Sequence, residues 1–472
     1  MIKRLGLPTI YKDFVCVADK CTDTCCAGWQ VDVDADSWEY YKSVTGEFGD
    51  RLRSVMEEFN DGDDSDGDRG CFTLTPSGWC PFLNESLLCD LYSELGGEHL
   101  CRTCDNYPRF MEDYGELREM GLALSCPEVS RMVLSSSEPL TYETYPVDNE
   151  KLDVNSYEGD DLDSATRVVS DVMVRTRGMS IYDNPLIKEA VEKTYEEGYS
   201  IDMEDFDAGY FDMLLTLRDT AFSIVKNREL DILSRVILYL DYCNSIQEVI
   251  DKDEVDFDDI GVLSADCFKV RDRYVGTDNL RSRLEELKRS RAESVDLYGE
   301  EIAFDEARYR LVPEYGAVIY GELMHCKPEW VPLLNECEEV LHKNITPEEY
   351  RKLIKEFSSY MSDREYEYEH ALNYHVFRYF LKAYFDDDCY GKGQAAVMQH
   401  IMLVELGLLK FYQQGSFSVI DQEYIFHLYS RELEHSTDNY DEFIESLRTE
   451  SMCNYEHLLN LLLSDGEIIW NR

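Results

Sequence analysis

The chain has 472 residues, 44% of them hydrophobic and 30% charged, the balance of a folded protein long enough for several domains of roughly 150 residues each. Lys and Arg number 46 against 97 Asp and Glu, a formal charge of −51. A surface this negative repels phosphate backbones and anionic headgroups, which argues against nucleic acid and membrane surfaces as partners, and it steers cationic side chains inward; solubility or adaptation to salt accounts for the same excess.

The N-terminal MIKRLGLPTIYKDFVC has basic residues but no continuous apolar region or small-residue cleavage site of a secretory signal. A cytoplasmic protein is expected, and reducing compartments disfavour structural disulfides. That decides how the cysteines are read. Ten of the 16 lie within the first 126 residues, at 16, 21, 25, 26, 71, 80, 89, 101, 104 and 126. The acidic run Asn60 to Asp68 (NDGDDSDGD) reads as a solvated loop. Counted from Asp61 as a calcium loop, it has Asp66 where Gly is required and Phe72 where Glu is required, so a calcium loop is not expected. Near residue 140, SSSEPLTYETYPVDNE reads as a linker, which divides the chain into a cysteine-rich region, 1–140, and a helical domain, 141–472.

Downstream, 3.6-residue spacing predicts helices over Phe206–Val225, Leu230–Ile250, Leu280–Leu297, Tyr350–Met361, Tyr366–Phe385 and Ala395–Tyr412. In the second, Leu230, Leu233, Ile237 and Leu240 mark one apolar face. The last, Tyr455 to Leu463, is rich in leucine and reads as core. The longest apolar stretch, Ile401 to Leu409, is interrupted by Glu405 and is about half the roughly twenty residues a membrane-spanning helix needs. Strict alternation is scarce, which argues against a large sheet. The predicted fold is mainly α, with an irregular N-terminal cysteine-rich metal-binding region docked on a large helical domain.

The densest chemical signal is Cys16-x4-Cys21-x3-Cys25-Cys26, followed by Gly28-Trp29. Closely spaced thiolates suit zinc or an iron–sulfur cluster, and four of them within eleven residues predict a loop wrapped around a metal. Cys80-Pro81, Leu88-Cys89, Cys101-x2-Cys104 and Cys126-Pro127 follow; a proline after a ligating cysteine also ends the bacterial ferredoxin run. The spacing departs from the radical-SAM signature Cys-x3-Cys-x2-Cys, because Gly28 stands in the third place. No strand leads into a Gly-x-Gly loop as in a Rossmann nucleotide cradle. Residue types and spacing alone therefore lead to a thiolate metal protein with a large helical domain.

The chain resembles the flagellin lysine-N-methylase family, with a front end similar to zinc- or iron-chelating cysteine-rich proteins. The resemblance is carried by Pro8-x-Ile10-Tyr11-x2-Phe14-x-Cys16, Cys21-x-Asp23-Thr24-Cys25-Cys26-x-Gly28-Trp29, Cys80-Pro81-Phe82-Leu83, Leu88-Cys89, Cys104-x2-Tyr107-Pro108-Arg109 and Ser125-Cys126-Pro127-Glu128-x2-Arg131. Glu369-x3-Asn373-Tyr374 and Ser430-Arg431-x2-Glu434-His435-Ser436 look like motifs of the family's helical part. Cys71 and Cys101 fall outside the pattern, leaving Cys16, Cys21, Cys25, Cys26, Cys80, Cys89, Cys104 and Cys126 as expected metal ligands.

The resemblance implies methyl transfer from S-adenosylmethionine to flagellin lysines, with a 4Fe–4S cluster held by the front cysteines and the cofactor at the junction of the two regions. A lysine nucleophile must lose its proton, so a base or desolvation is required; Glu434, His435 and Tyr107 are candidates. Trp29, Trp79 and Tyr107 neighbour the thiolates and offer aromatic faces to an ammonium, or pack around the metal. Arg109 is a candidate for a methionyl carboxylate or for balancing thiolate charge. His370 and His375 read as core or surface residues of a helix. Two rivals stand beside the methylase: a non-catalytic zinc- or iron-binding interaction protein, and an iron–sulfur redox carrier.

Overall fold

The computed structural model describes residues 4–59, 68–146, 206–252, 260–292, 294–297, 299–321, 323–435 and 437–470. The acidic run at 60–67 lies outside them. The chain forms two units, the described residues of Met1–Met132 with Thr141–Phe206, and those of Val133–Leu140 with Asp207–Arg472.

The front unit is not irregular. Strands β1 (Arg4–Pro8), β2 (Val31–Asp34), β3 (Met56–Glu58), β4 (Asp68–Phe72), β5 (Arg109–Tyr114), β6 (Leu117–Leu122) and β7 (Tyr142–Pro146) form two sheets, ordered β5-β6-β1-β7 and β2-β4-β3. Hairpin β5–β6 turns at Gly115, whose φ of +58° lies in the left-handed region that glycine tolerates. β1 pairs in parallel with β6, Leu5 opposite Arg118, and antiparallel with β7. The segment read as a linker therefore supplies an edge strand. Short helices α1 (Ala35–Ser43), α2 (Gly46–Val55), α3 (Asp90–Leu95), α4 (Arg102–Asn106) and α5 (Pro127–Leu134) connect the strands. Asp34 caps α1 by accepting from the Ser37 N–H at 2.9 Å, and α1 lays Trp38 and Tyr41 against the smaller sheet. Gly70 on β4 permits that approach, because a Cβ there would lie 2.5 Å from the Trp38 ring. Cys80 and Cys101 belong to the same core as Val33, Leu52, Phe72 and Phe82.

The rear unit is helical: α6 (Ala208–Val225), α7 (Ile232–Ile250), α8 (Ile260–Asp272), α9 (Thr277–Ser290), α10 (Ala307–Tyr315), α11 (Trp330–Cys337), α12 (Pro347–Tyr360), α13 (Glu365–Tyr379), α14 (Ala383–Asp386), α15 (Cys389–Gln414), α16 (Val419–Glu434), α17 (Thr437–Thr449) and α18 (Tyr455–Trp470). Its one described hairpin, β8 (Ser294–Leu297) with β9 (Glu300–Ala303), occupies the end of the stretch read as a helix over Leu280–Leu297. Helix starts are written in local chemistry. Asp207, Asp231 and Asp388 cap α6, α7 and α15, and Thr346/Glu349 and Ser418/Asp421 form reciprocal capping boxes on α12 and α16.

Helix α7 is more than one apolar face. Val236, Leu238 and Tyr239 are buried with Ile237 and Leu240, so it is the central helix of the unit. It packs on α15, where a Cβ on Gly393 would lie 2.6 Å from that of Cys243. By length and composition α15 is apolar enough to cross a membrane, and 78% of its most apolar window is buried within the unit. Some of its polar groups are paired there: Lys392 reaches Asp386 at 2.5 Å and Gln394 donates to the Leu447 and Cys453 carbonyls.

Candidate functional site

In the front unit, extended segments bring distant cysteines together. Gly28, at φ +81°, lets the chain reverse after Cys26, and the Ala27–Trp79 bridge follows: Gly28 N–H donates to the Gly78 carbonyl at 2.7 Å and Cys80 N–H to the Cys26 carbonyl at 2.8 Å. The Trp29 indole donates to the Cys25 carbonyl at 2.6 Å. A second bridge, Leu83–Cys89, folds Cys89 back towards Cys80.

The thiols are near enough to act on one another. Burial raises the Cys21 pKa, with Cys25 and Cys16 adding to it. Burial pushes Cys80 up to about 12, reinforced by Cys89, Cys101 and Cys25, and pushes Cys126 up to about 12, reinforced by Cys21 and Cys25. Burial likewise raises Cys89, with Cys25 contributing. A hydrogen bond with Cys101 raises Cys104 further, with burial, Cys26 and Cys80 adding. Cys16, Cys21, Cys25, Cys26, Cys80, Cys89, Cys104 and Cys126 therefore share one neighbourhood. Cys101 joins them although it lies outside the sequence pattern. Cys71 does not: burial and the charges of Asp32 and Glu57 push it up to about 11.

Thiols are the right donors for zinc or an iron–sulfur cluster. Among the described residues, however, no three Cys, His, Asp or Glu side chains stand where they could hold one ion. The neighbourhood supplies donor chemistry without a closed ligand set. Tyr107 lies beside it, its ring 5.9 Å from that of Trp29 and its hydroxyl 3.3 Å from Ser125 Oγ. Trp79 is exposed. Arg109 stacks over Phe14 at 5.3 Å and has no acidic partner among the described residues.

In the rear unit the two helical motifs meet. Tyr374 on α13 donates to Glu434 Oε2 on α16 at 2.9 Å; Arg378 donates to the same oxygen at 2.8 Å and Tyr379 to Oε1 at 3.1 Å, while Ser430 completes the shell. Tyr440 stacks on Tyr379 at 4.3 Å. With four donors on it, one charged, both oxygens of Glu434 are occupied. Glu434 positions tyrosines. Burial, reinforced by Arg431 and His427, holds the His435 pKa well below the imidazole range, so this residue is neutral and weakly basic. His370 hydrogen-bonds the Val133 carbonyl at 2.7 Å and His375 the Lys392 carbonyl at 3.2 Å; both are structural.

Sequence reasoning passed over Glu432, which reads like any glutamate on a helix. It is fully buried, with Oε2 taking the Cys326 N–H at 3.2 Å and lying 3.5 Å from His325 Nδ1, and with Oε1 unpartnered. Burial raises its pKa to about 7, the range a general base needs. An acid whose pKa is raised on folding stabilises the fold below its unfolded value, near 4.5, and that contribution is lost as pH rises through 7, on the order of 3 kcal/mol in all. Glu432→Gln is expected to gain stability over the parent between pH 4.5 and 7 and to hold the gain above. Urea denaturation across that range measures it, and a pH-independent difference rejects the assignment.

The FliB lysine N-methylase C-terminal domain matches residues 218–461, just over half the chain and wholly within the rear unit. The chain is 28% identical over 138 residues to the flagellar biosynthetic protein FliU of Salmonella muenchen, covering 28% of this chain and 78% of that protein. It is 28% identical over 138 residues to the lysine-N-methylase of Salmonella typhimurium, and 27% identical over 135 residues to that of Salmonella choleraesuis, each match covering 28% of this chain and 33% of the relative. The match thus spans about a third of the length of the two lysine-N-methylases. No solved structure matches. With its two helical motifs joined at Glu434 inside the matched span, the chain belongs to the FliB lysine N-methylase family, a family of protein-lysine N-methyltransferases.

Proposed function

We propose that the chain transfers methyl groups from S-adenosylmethionine to lysine side chains of flagellin in the cytoplasm, with an iron–sulfur cluster held in its front unit. The observation that carries this reading is the family match over 218–461, within which Tyr374, Arg378, Tyr379, Ser430 and Glu434 form one buried network. The name of the FliU relative supports the flagellar substrate.

In the transfer, the lysine ammonium first gives up a proton. The amine lone pair then forms a bond to the methyl carbon, and the carbon–sulfur bond breaks with its electron pair left on sulfur as a thioether. Glu432, with a pKa near 7, is suited to take the proton. Tyr374 and Tyr379, held by Glu434, have Arg378 over both rings, a cation–π arrangement filled from within the unit. Cys16, Cys21, Cys25, Cys26, Cys80, Cys89, Cys104 and Cys126 are the donors for the cluster, which when bound supplies a redox-active iron centre. Burial holds Cys80 and Cys126 protonated, so metal uptake there must release protons.

The test incubates anaerobically reconstituted protein with S-adenosylmethionine and flagellin and weighs the flagellin by mass spectrometry. Mass increments of one methylene per methyl added are expected. A metal-loaded protein that leaves flagellin unchanged returns the advantage to a non-catalytic metal-binding module, and a colourless protein containing only zinc removes the iron–sulfur assignment.

A further inference from the structure

The rear unit contains a second buried polar assembly, built on Arg308. This guanidinium donates to Asp465 Oδ2 at 2.7 Å, Tyr350 Oη at 3.1 Å, and Glu405 Oε2 and the Ile401 carbonyl, both at 3.2 Å. Glu405 also takes the Tyr350 hydroxyl at 2.7 Å and meets His342 Nε2 at 2.9 Å, so both its oxygens are occupied. Asp465 is not satisfied in the same way. It is 4% exposed and its Oδ1 has no hydrogen-bond partner.

Asp465 lines a small cavity of ≈ 60 Å³ between α7, α10, α12, α13, α15 and α18. His400, 8% exposed, lines it too, with an aromatic contact to Tyr368 but no hydrogen bond among the described residues. Burial, reinforced by Arg308 and Arg235, holds the His400 pKa at about 3, so the ring is neutral and keeps a lone pair to offer. Phe357 and Tyr368 supply aromatic walls, and the half-buried carboxylates of Asp231 and Glu365 face the same space.

The charges decide which ligand fits. Arg308 is matched by Glu405, and Arg235 lies 3.7 Å from Glu365. Arg308 pairs with Asp465 as well, so one guanidinium serves two carboxylates and the lining is acidic. Its unmet groups are acceptors, which disfavour an anion. A hydroxyl donates one hydrogen and a sulfonium none, whereas a primary ammonium donates three and carries the complementary charge.

We propose that this cavity binds a primary ammonium on an aliphatic stem, the end of a lysine side chain, with Asp465 Oδ1 and a ring nitrogen of His400 as its acceptors. The assignment rests on the methylase reading only in taking protein lysine as the natural source of that group. A buried carboxyl raised to about 6 by desolvation gains from such a neighbour.

Binding of Nα-acetyl-lysine amide to the full chain, without S-adenosylmethionine, is measured by calorimetry beside its norleucine counterpart, which lacks the ammonium. Saturable binding of the lysine compound alone is expected, weakened roughly tenfold by Asp465→Asn or by His400→Phe, the loss of one charge-assisted hydrogen bond. Circular dichroism verifies that each variant is folded, and His400→Phe leaves the Arg308–Asp465 pair intact should Asp465→Asn unfold. Equal binding of norleucine, no saturable binding of the lysine compound, or unchanged affinity in a folded variant overturns the proposal. Binding that follows this pattern in a protein that never methylates flagellin sinks the enzymatic reading and leaves the pocket standing.

Discussion

Glu369→Ala is expected to cost the rear unit about 3–5 kcal/mol. Glu369 is fully buried on α13 and accepts from Arg235 Nη1 at 2.6 Å and from Arg228 through two parallel bonds at 2.8 and 2.9 Å. Arg235 is 2% exposed, and its other contacts are the Val225 carbonyl at 3.0 Å and Glu365 at 3.7 Å. Removing Glu369 strands that guanidinium in an apolar surrounding where water cannot replace the carboxylate. A domain's whole stability is about 5–15 kcal/mol, so the loss is a large share of it. The paired replacement Arg235→Met with Glu369→Leu removes both charges and is expected to cost far less, because no charge is left unmatched. Urea denaturation followed by circular dichroism reads both. If Glu369→Ala shifts stability by less than about 1 kcal/mol, the value of a surface pair, the residue is not the buried tie between α13 and α7 described here.

Cys25→Ser is expected to lower flagellin methylation by more than about 100-fold while leaving the metal-free fold intact. Cys25 is exposed, so exchanging sulfur for oxygen removes little packing. Yet its charge reaches Cys21, Cys80, Cys89 and Cys126, more of the neighbourhood than any other thiol is seen to reach. Serine is a poor ligand for soft metals, so the variant loses metal as well as turnover. Cys71→Ser is the control: it lies in the same unit and is more buried, but answers to Asp32 and Glu57 rather than to the thiols. Metal content, absorbance and flagellin mass are measured for both. Parent-like methylation by metal-loaded Cys25→Ser, or equal damage from Cys71→Ser, defeats the thiol-centre proposal.

Helices were legible where period and caps agreed. Leu230–Ile250 and Ala395–Tyr412 were read as helices from apolar spacing, and both form, as α7 and α15. Leu280–Leu297 was read as one helix, but α9 ends at Ser290. Arg291 adopts an extended ψ of 147°, and Val295 and Leu297 turn inwards as β8, paired across a turn at Gly299 with φ +87°. Four residues of alternation are too short to outweigh a helical pattern that precedes them. The front sheets were hidden for another reason. β1 takes partners more than a hundred residues away, and its buried run, with one exposed residue in five, shows no period of two.

Residue types and spacing, by themselves, determined that the front of the chain is crowded with thiols and that the rear is a helical body, because both signals are local: cysteines clustered within a loop, and a turn of 3.6 residues repeated over long stretches. Only the tertiary structure decided which polar groups are spent and which are free. Glu434, the obvious carboxylate of its motif, is saturated by Tyr374, Arg378, Tyr379 and Ser430, while Glu432, Asp465 and His400, which no motif marks, are left buried with unmet capacity. Those outcomes depend on desolvation and on partners tens of residues distant, and neither is written in the residues that flank a site.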